Sequence, residues 1–369
     1  MKLKELVNYL ESMVPTAFQE SYDNSGIQVG EHGQAVDSVL LSLDVTEEII
    51  DEAITRGCQM VISHHPLIFK PLKHLSGKTA TEKIILKAVL NNISVYSMHT
   101  NLDTVRGGVS YRLAEKMKLR NIKPLMPLDS KLLKLVVFVP LDHAENVRDA
   151  VFNAGAGFLG NYDRCSYNIH GRGTFRAGPG TDPFAGEQGS DHIEEEIRIE
   201  TVLPEYLKSR VVSAMINAHP YEEVAYDLYR IENNMPGTGL GVVGELKKEL
   251  TEAGIVEMLG EIFEAKGIRH TAFTGKKIKK VALMGGSGGN YIGKAISSGA
   301  DVFATADIKY HSYFEAGNDI LLVDIGHYES EKPALEIIHE LITKKFPKFA
   351  VRFSNINTNP VNYSQAWKK

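Results

Sequence analysis

The sequence predicts an α/β protein: a mainly parallel sheet covered by helices on both faces, interrupted by an inserted ferredoxin-like βαββαβ domain. Three observations carry this. Short, continuous apolar runs alternate with helical periodicity toward both ends of the chain, the pattern of strands buried on both faces of a parallel sheet. In the middle the rhythm changes, and strands alternate apolar with polar residues. A length of 369 residues also exceeds one typical core, so two domains are expected.

The elements follow in order. Met1 to Pro15 reads as an amphipathic helix (Leu3, Leu6, Val7, Leu10, Met13, Val14). Ser38–Asp44 is a buried strand, Glu47–Arg56 a helix and Met60–Ser63 a second strand. Thr81–Asn91 is a helix, Ser94–His99 a strand and Gly108–Met117 a helix. Next come strand Leu132–Pro140, helix Ala144–Ala154, alternating strands Cys165–Phe175 and Ile193–Val202, helix Glu205–Ala218 and strand Ala225–Ile231. That order is the βαββαβ signature, with its central strands joined by a Gly/Pro-rich stretch from Gly171 to Gly189. The expected domains are 1–129 and 233–369, two halves of one host, with 130–232 inserted between them. Gly237, Gly239, Gly241 and Gly244 mark the return. Lys280–Met284 is then a strand, Tyr291–Ser297 a helix, Asp301–Thr305 and Ile320–Asp324 strands, and Pro333–Phe346 a helix.

Composition excludes several classes. Hydrophobic residues at 43% and charged residues at 24% are ordinary for a soluble globular protein. A net charge of −5 offers no broad field to nucleic acid or an anionic membrane. The cluster Lys276, Lys277, Lys279 and Lys280 reads as a solvated turn. Cys58 and Cys165 make neither a disulfide framework nor a zinc ribbon and suit a reducing cytosol. No signal-peptide core or bilayer-length apolar run stands out, so a cytoplasmic location is expected.

Polar, metal-competent residues follow the apolar strands, where open α/β sheets bind ligands. Ser63-His64-His65-Pro66 comes directly after Met60-Val61-Ile62. Neighbouring histidines at a strand end point apart and suit two metals; the plainer alternative is a turn with two exposed imidazoles. Pro66 disfavours helical geometry at His65. His99-Thr100-Asn101-Leu102-Asp103 follows a third strand, and Asp103 fits turn chemistry or capping as well as ligation. His327 and Glu331 are four apart, on one face if helical, although a carboxylate there also fits helix capping. Asp307-Ile308-Lys309-Tyr310-His311 supplies acid, base and cation without ligand spacing of its own. Together, three histidines and two carboxylates suffice for two ions if one carboxylate bridges, leaving positions for water. An N/O ligand set suits zinc, iron or manganese. Gly285-Gly286-Ser287-Gly288-Gly289 lacks a P-loop lysine; it reads as a tight strand-to-helix turn, with phosphate contact as the alternative.

The motifs YDNSGIQVG (Tyr22–Gly30), SHHPLIF (Ser63–Phe69), HTNLD (His99–Asp103), GGSGG (Gly285–Gly289), TADIKYH (Thr305–His311) and GHYESE (Gly326–Glu331) together resemble the GTP cyclohydrolase I type 2 homologue family, also called NIF-three-like. The resemblance implies a dinuclear metal site, zinc first among the candidates, held by His64, His65, Asp103, His327 and Glu331, with Glu331 as the bridge. It implies a toroidal homohexamer, and for longer bacterial members an inserted domain similar to the PII and CutA folds. The expected activity is metal-dependent hydrolysis of GTP or a related nucleotide, with His99 or His311 moving a proton and the second metal or Lys309 stabilising developing charge. Hydrolysis of a phosphoester by the two-metal route is the alternative at the same site. A different class of function, a metal-holding scaffold that senses a small ligand, fits the same residues. No membrane or nucleic-acid partner is implied.

Overall fold

The protein is described by a computed structural model over residues 1–129 and 131–364, and it separates into two compact units. One comprises residues 1–126 with 237–369, and the other residues 127–236.

The larger unit contains two sheets. The first runs Gly26–Val29, Ser94–Ser97, Met60–Ser63, Ser38–Ser42, Ala350–Phe353, parallel throughout except for the antiparallel edge Gly26–Val29. Its three central strands, SVYS, MVIS and SVLLS, are buried along their whole length, as sequence without polar alternation requires. Thr46 and Thr79 start the covering helices Glu47–Thr55 and Ala80–Leu90; each hydroxyl accepts an N–H of the first turn, from Ile49 and Glu82.

The second sheet runs Arg269–His270, Leu321–Asp324, Val302–Ala306, Lys277–Ser287, Gly239–Thr251, Arg120–Pro127. Its central pairs are parallel, whereas Gly239–Thr251 and Arg269–His270 join antiparallel. Alternate side chains enter different cores: Val281, Leu283, Val302 and Val323 on one face, Ala282, Met284, Phe303 and Leu322 on the other.

The expected single sheet is therefore two mixed sheets. The strands that the sequence reading lacked, such as Gly26–Val29, Arg120–Pro127 and Gly239–Thr251, contain Gly, Pro or charge that dilutes the apolar signal. The lysine cluster is not a turn: Lys277, Lys279 and Lys280 lie on a strand, where the Lys279 and Lys280 N–H groups donate to Asp301.

The smaller unit is one antiparallel sheet, in the order Ser166–Arg176, Asp191–Pro204, Leu132–Pro140, Tyr226–Ile231. Helices Ala144–Asn153 and Lys208–Ala218 cover one face, burying Leu135, Val137, Val139, Ile199, Val147 and Val211 together. Residues of the other parity, among them Phe138, Arg198 and Ile169 in register, occupy the opposite face. The strands extend through Gly171 and Gly173 to the pair Arg176–Asp191, so the connection is shorter than the glycines suggest. No helix among the described residues is long and apolar enough to cross a membrane.

Candidate metal centre

Both sheets of the larger unit send the carboxyl ends of their parallel strands to one place. Ser38–Ser42 leads to Asp44, Met60–Ser63 to His64 and His65, and Ser94–Ser97 to His99 and the short helix Thr100–Thr104 carrying Asp103. In the second sheet Val302–Ala306 leads to Asp307, and Leu321–Asp324 to the helix His327–Glu331. The His64–His65 turn is fixed from below: the His65 N–H donates to Leu43 O, and Ser63 Oγ to His65 O. His327 and Glu331 do share a helix, one turn apart, and Pro333 opens a separate helix, Pro333–Lys345.

The four imidazoles are held alike, each through Nδ1. His64 Nδ1 donates to Met98 O, His65 to Asp44, His99 to Asp23 and His327 to Asp307, every one at 2.7 Å. That leaves each Nε2 free to turn to the centre, the arrangement in which an acceptor behind a ligating histidine sets its tautomer and orientation. Glu331, 3% exposed, receives His65 Nε2 at 2.7 Å and His327 Nε2 at 2.9 Å on Oε2. Its Oε1 faces His64 Nε2 at 3.7 Å, and Asp103 Oδ1 lies 3.8 Å from the same nitrogen.

These longer separations are informative. His64 Nε2 and Asp103 Oδ1 are both buried without a hydrogen-bond partner among the described residues. Each such orphan costs about 1–3 kcal/mol. Two ligands on one tetrahedral zinc stand ~3.4 Å apart, from bonds of 2.0–2.1 Å, so a cation between them would satisfy both atoms. The donor set, nitrogen and oxygen without thiolate, fits zinc, iron or manganese.

The electrostatics agree. Burial would lower the imidazoles, but the carboxylates outweigh it: His64 is raised, His65 pushed up to about 10 and His327 to about 9. Asp103 is pushed up to about 6, first by burial and then by Glu331, with His64 opposing. Burial would raise Glu331 too, yet His64, His327 and His65 hold it well below the usual carboxylate range. Protons on the imidazoles thus balance a negative cluster that a cation could balance instead.

Three overlapping groups have ligand atoms all within 4.8 Å of one another: His65, His327 and Glu331; His64, Asp103 and Glu331; and His64, His65 and His99. All five residues expected as ligands are therefore together, and His99, expected only as a proton carrier, joins them. Lys309 and His311 do not belong to these groups; both are exposed on the segment after Asp307, where His311 packs against Tyr310 with ring centroids 5.2 Å apart. Sequence reasoning missed Asp23 and Asp44: Asp44 obeys the same rule, two residues beyond strand Ser38–Ser42, whereas Asp23 precedes Gly26–Val29, a strand the sequence did not reveal. It also missed what the glycine loop does. Gly286 sits at φ +63°, and a Cβ there would lie 2.1 Å from Glu331 Oε1. Its N–H donates to Ser330 Oγ and its O accepts from Thr305 Oγ1, so the loop makes room for the carboxylate and fixes its helix.

Fold and site together define a two-unit α/β protein with a histidine–carboxylate cluster able to hold metal. The chain belongs to the Duf34/NIF3 (NGG1p interacting factor 3) family, which it matches over residues 1–360. It is 38% identical to the "GTP cyclohydrolase 1 type 2 homolog" of Halalkalibacterium halodurans, covering 97% of this chain and 98% of the relative. The protein of that name from Bacillus subtilis is also 38% identical, with 98% of each chain covered. Among solved structures, a Bacillus cereus protein related to NIF3 superimposes with a TM-score of 0.86 at 39% identity, covering 99% of both chains.

Proposed function

We propose that this protein holds two divalent ions, zinc foremost, and is a metal-dependent hydrolase acting on GTP or a related nucleotide. One observation carries the reading: two three-residue groups, His65–His327–Glu331 and His64–Asp103–Glu331, share Glu331, one through each carboxylate oxygen. A carboxylate shared in this way suits a bridge between ions, with His64, His65, Asp103 and His327 as the remaining ligands. Ions bound there would supply Lewis-acid and hydrolytic chemistry near neutral pH.

The chain's own residues supply orientation and proton handling. Asp44 and Asp307 keep His65 and His327 turned inward. His99, anchored by Asp23 and outside both Glu331 groups, would carry a proton at Nε2. Lys309 and His311, on the exposed segment after Asp307, are proposed to meet substrate. The nucleotide class is supported by the name its relatives carry. Residues 130–232 are read as an inserted ferredoxin-like domain and the assembly as a homohexamer.

The test is a screen of metal-replete protein over GTP, other nucleotides and phosphoesters, with His327→Ala purified in parallel. Turnover should vanish on chelation, return with metal and be absent from the variant. Equal activity in the two preparations would defeat the claim for that substrate.

A further inference from the structure

The smaller unit contains a cavity of about 530 Å³, lined by residues of the sheet face opposite its helices and by two loops. Its walls are aromatic: Phe138 and Phe175 from the sheet, Phe184 from the segment between the long strands, and Tyr221 from the turn after helix Lys208–Ala218. The Tyr221 ring centroid lies 6.1 Å from those of both Phe175 and Phe184. Asp182 N–H donates to the Glu222 carboxylate at 3.2 Å and ties the two loops together.

Among these rings lies a buried carboxylate. Glu196 is 7% exposed, and its Oε1 accepts the Tyr221 hydroxyl at 3.0 Å. Burial and the neighbouring Glu196 push that hydroxyl up, so it stays protonated and donating. Among the described residues no donor is recorded on Oε2, which lies over Gly173, where a Cβ would come within 2.3 Å. Glycine at 173 therefore makes the space that the carboxylate occupies.

The charges lining the cavity are not matched to one another. Arg172, Arg176 and Arg198 each pair with an acid outside the lining: Glu195, Asp191 and Glu200. The lining acids Glu196, Glu222 and Glu223 have no cationic partner among the described residues. Arg198 also stands over the Phe138 ring, 6.0 Å from its centroid, which leaves Phe175, Phe184 and Tyr221 as the aromatic faces beside the Glu196 carboxylate.

We propose that this cavity binds a small organic cation, a protonated amine, amidine or guanidine on an apolar body, with Glu196 as its counter-ion. A desolvated cation gains from aromatic faces and from charge-assisted hydrogen bonds to carboxylate. A neutral ligand of the same shape forgoes both, and an anion would meet the buried Glu196 carboxylate, which has no cation beside it among the described residues to offset its charge. The site stands apart from the metal reading: it uses none of the same residues, and each can fail alone.

Calorimetric titration of the full-length protein with benzamidine, against neutral benzamide of the same shape, tests this. Benzamidine should saturate one site per chain and bind at least about ten-fold more tightly than benzamide. Glu196→Gln should lose about ten-fold in benzamidine affinity while its metal content stays at the wild-type level. Equal binding of the two probes, no saturable binding, or undiminished affinity in folded Glu196→Gln overturns the proposal. Should that variant fail to fold, the comparison of the two probes on wild-type protein decides alone.

Discussion

Glu331 in the larger unit and Glu196 in the smaller are buried by the same local device and meet opposite surroundings. Each carboxylate lies against a glycine whose Cβ would collide with it, at 2.1 Å for Gly286 and 2.3 Å for Gly173. Around Glu331 stand His64, His65 and His327, whose directional nitrogens converge on fixed points. Around Glu196 stand Tyr221, Phe175 and Phe184, whose ring faces offer broad, weakly directional attraction to positive charge. A buried carboxylate thus does not define a ligand. The shell does: imidazoles suit a point cation at bonding distance, and aromatic rings suit a diffuse one.

The largest effect expected is at the shared carboxylate. Glu331→Ala should lose most of both ions, from about two per chain to well under one, by elemental analysis. Loss of a single ion would show that the two groups do not depend on a common bridge. The comparison requires that Glu196→Ala leave metal content untouched.

Gly286→Ala comes next. It adds a Cβ against Glu331 Oε1 and places a side chain at φ +63°. Metal affinity should fall about 10–100-fold, as when the support of a ligand is disturbed. Unfolding stability should fall by about 1 kcal/mol or more. Competition with a chelating dye reads the first and denaturant titration the second. Unchanged affinity would mean that the glycine serves the turn alone.

The third effect removes no side chain and is graded with pH. In the metal-free protein His65 and His327 titrate at about 10 and about 9, above the ordinary imidazole, and so carry protons at neutral pH. Metal uptake must displace them, so affinity rises with pH, about tenfold per unit for each proton released. Calorimetry in buffers of differing ionisation enthalpy counts those protons. No proton release at pH 7 would contradict the charge balance drawn for the cluster. The smaller unit's cavity should show no such dependence near neutrality, since a benzamidine probe stays charged there.

Much of this was legible in the chain. Uninterrupted apolar runs marked the central strands of both sheets, because a strand buried on both faces admits no polar alternation. His64, His65, Asp103, His327 and Glu331 stood out because each follows such a run at its carboxyl end. Edge strands such as Gly26–Val29 were hidden, since one free flank tolerates Gly and polar residues.

Tertiary structure alone decided the rest, because those features are contacts between distant residues. His65 and Glu331 are 266 positions apart, and His99 and Asp23 are 76. No local pattern says that Asp23, Asp44 and Asp307 stand behind imidazoles, or that His64 relies on the Met98 carbonyl instead. Nor does it say that Gly286 and Gly173 are small in order to admit a carboxylate from another element. The sequence by itself determined which residues could ligate and where strands would deliver them. Only the meeting of the two sheets brought His327 and Glu331 to the other histidines. Only the alignment of neighbouring strand ends within each sheet decided which nitrogen faces inward, because that choice depends on the hydrogen-bond partner waiting behind each ring.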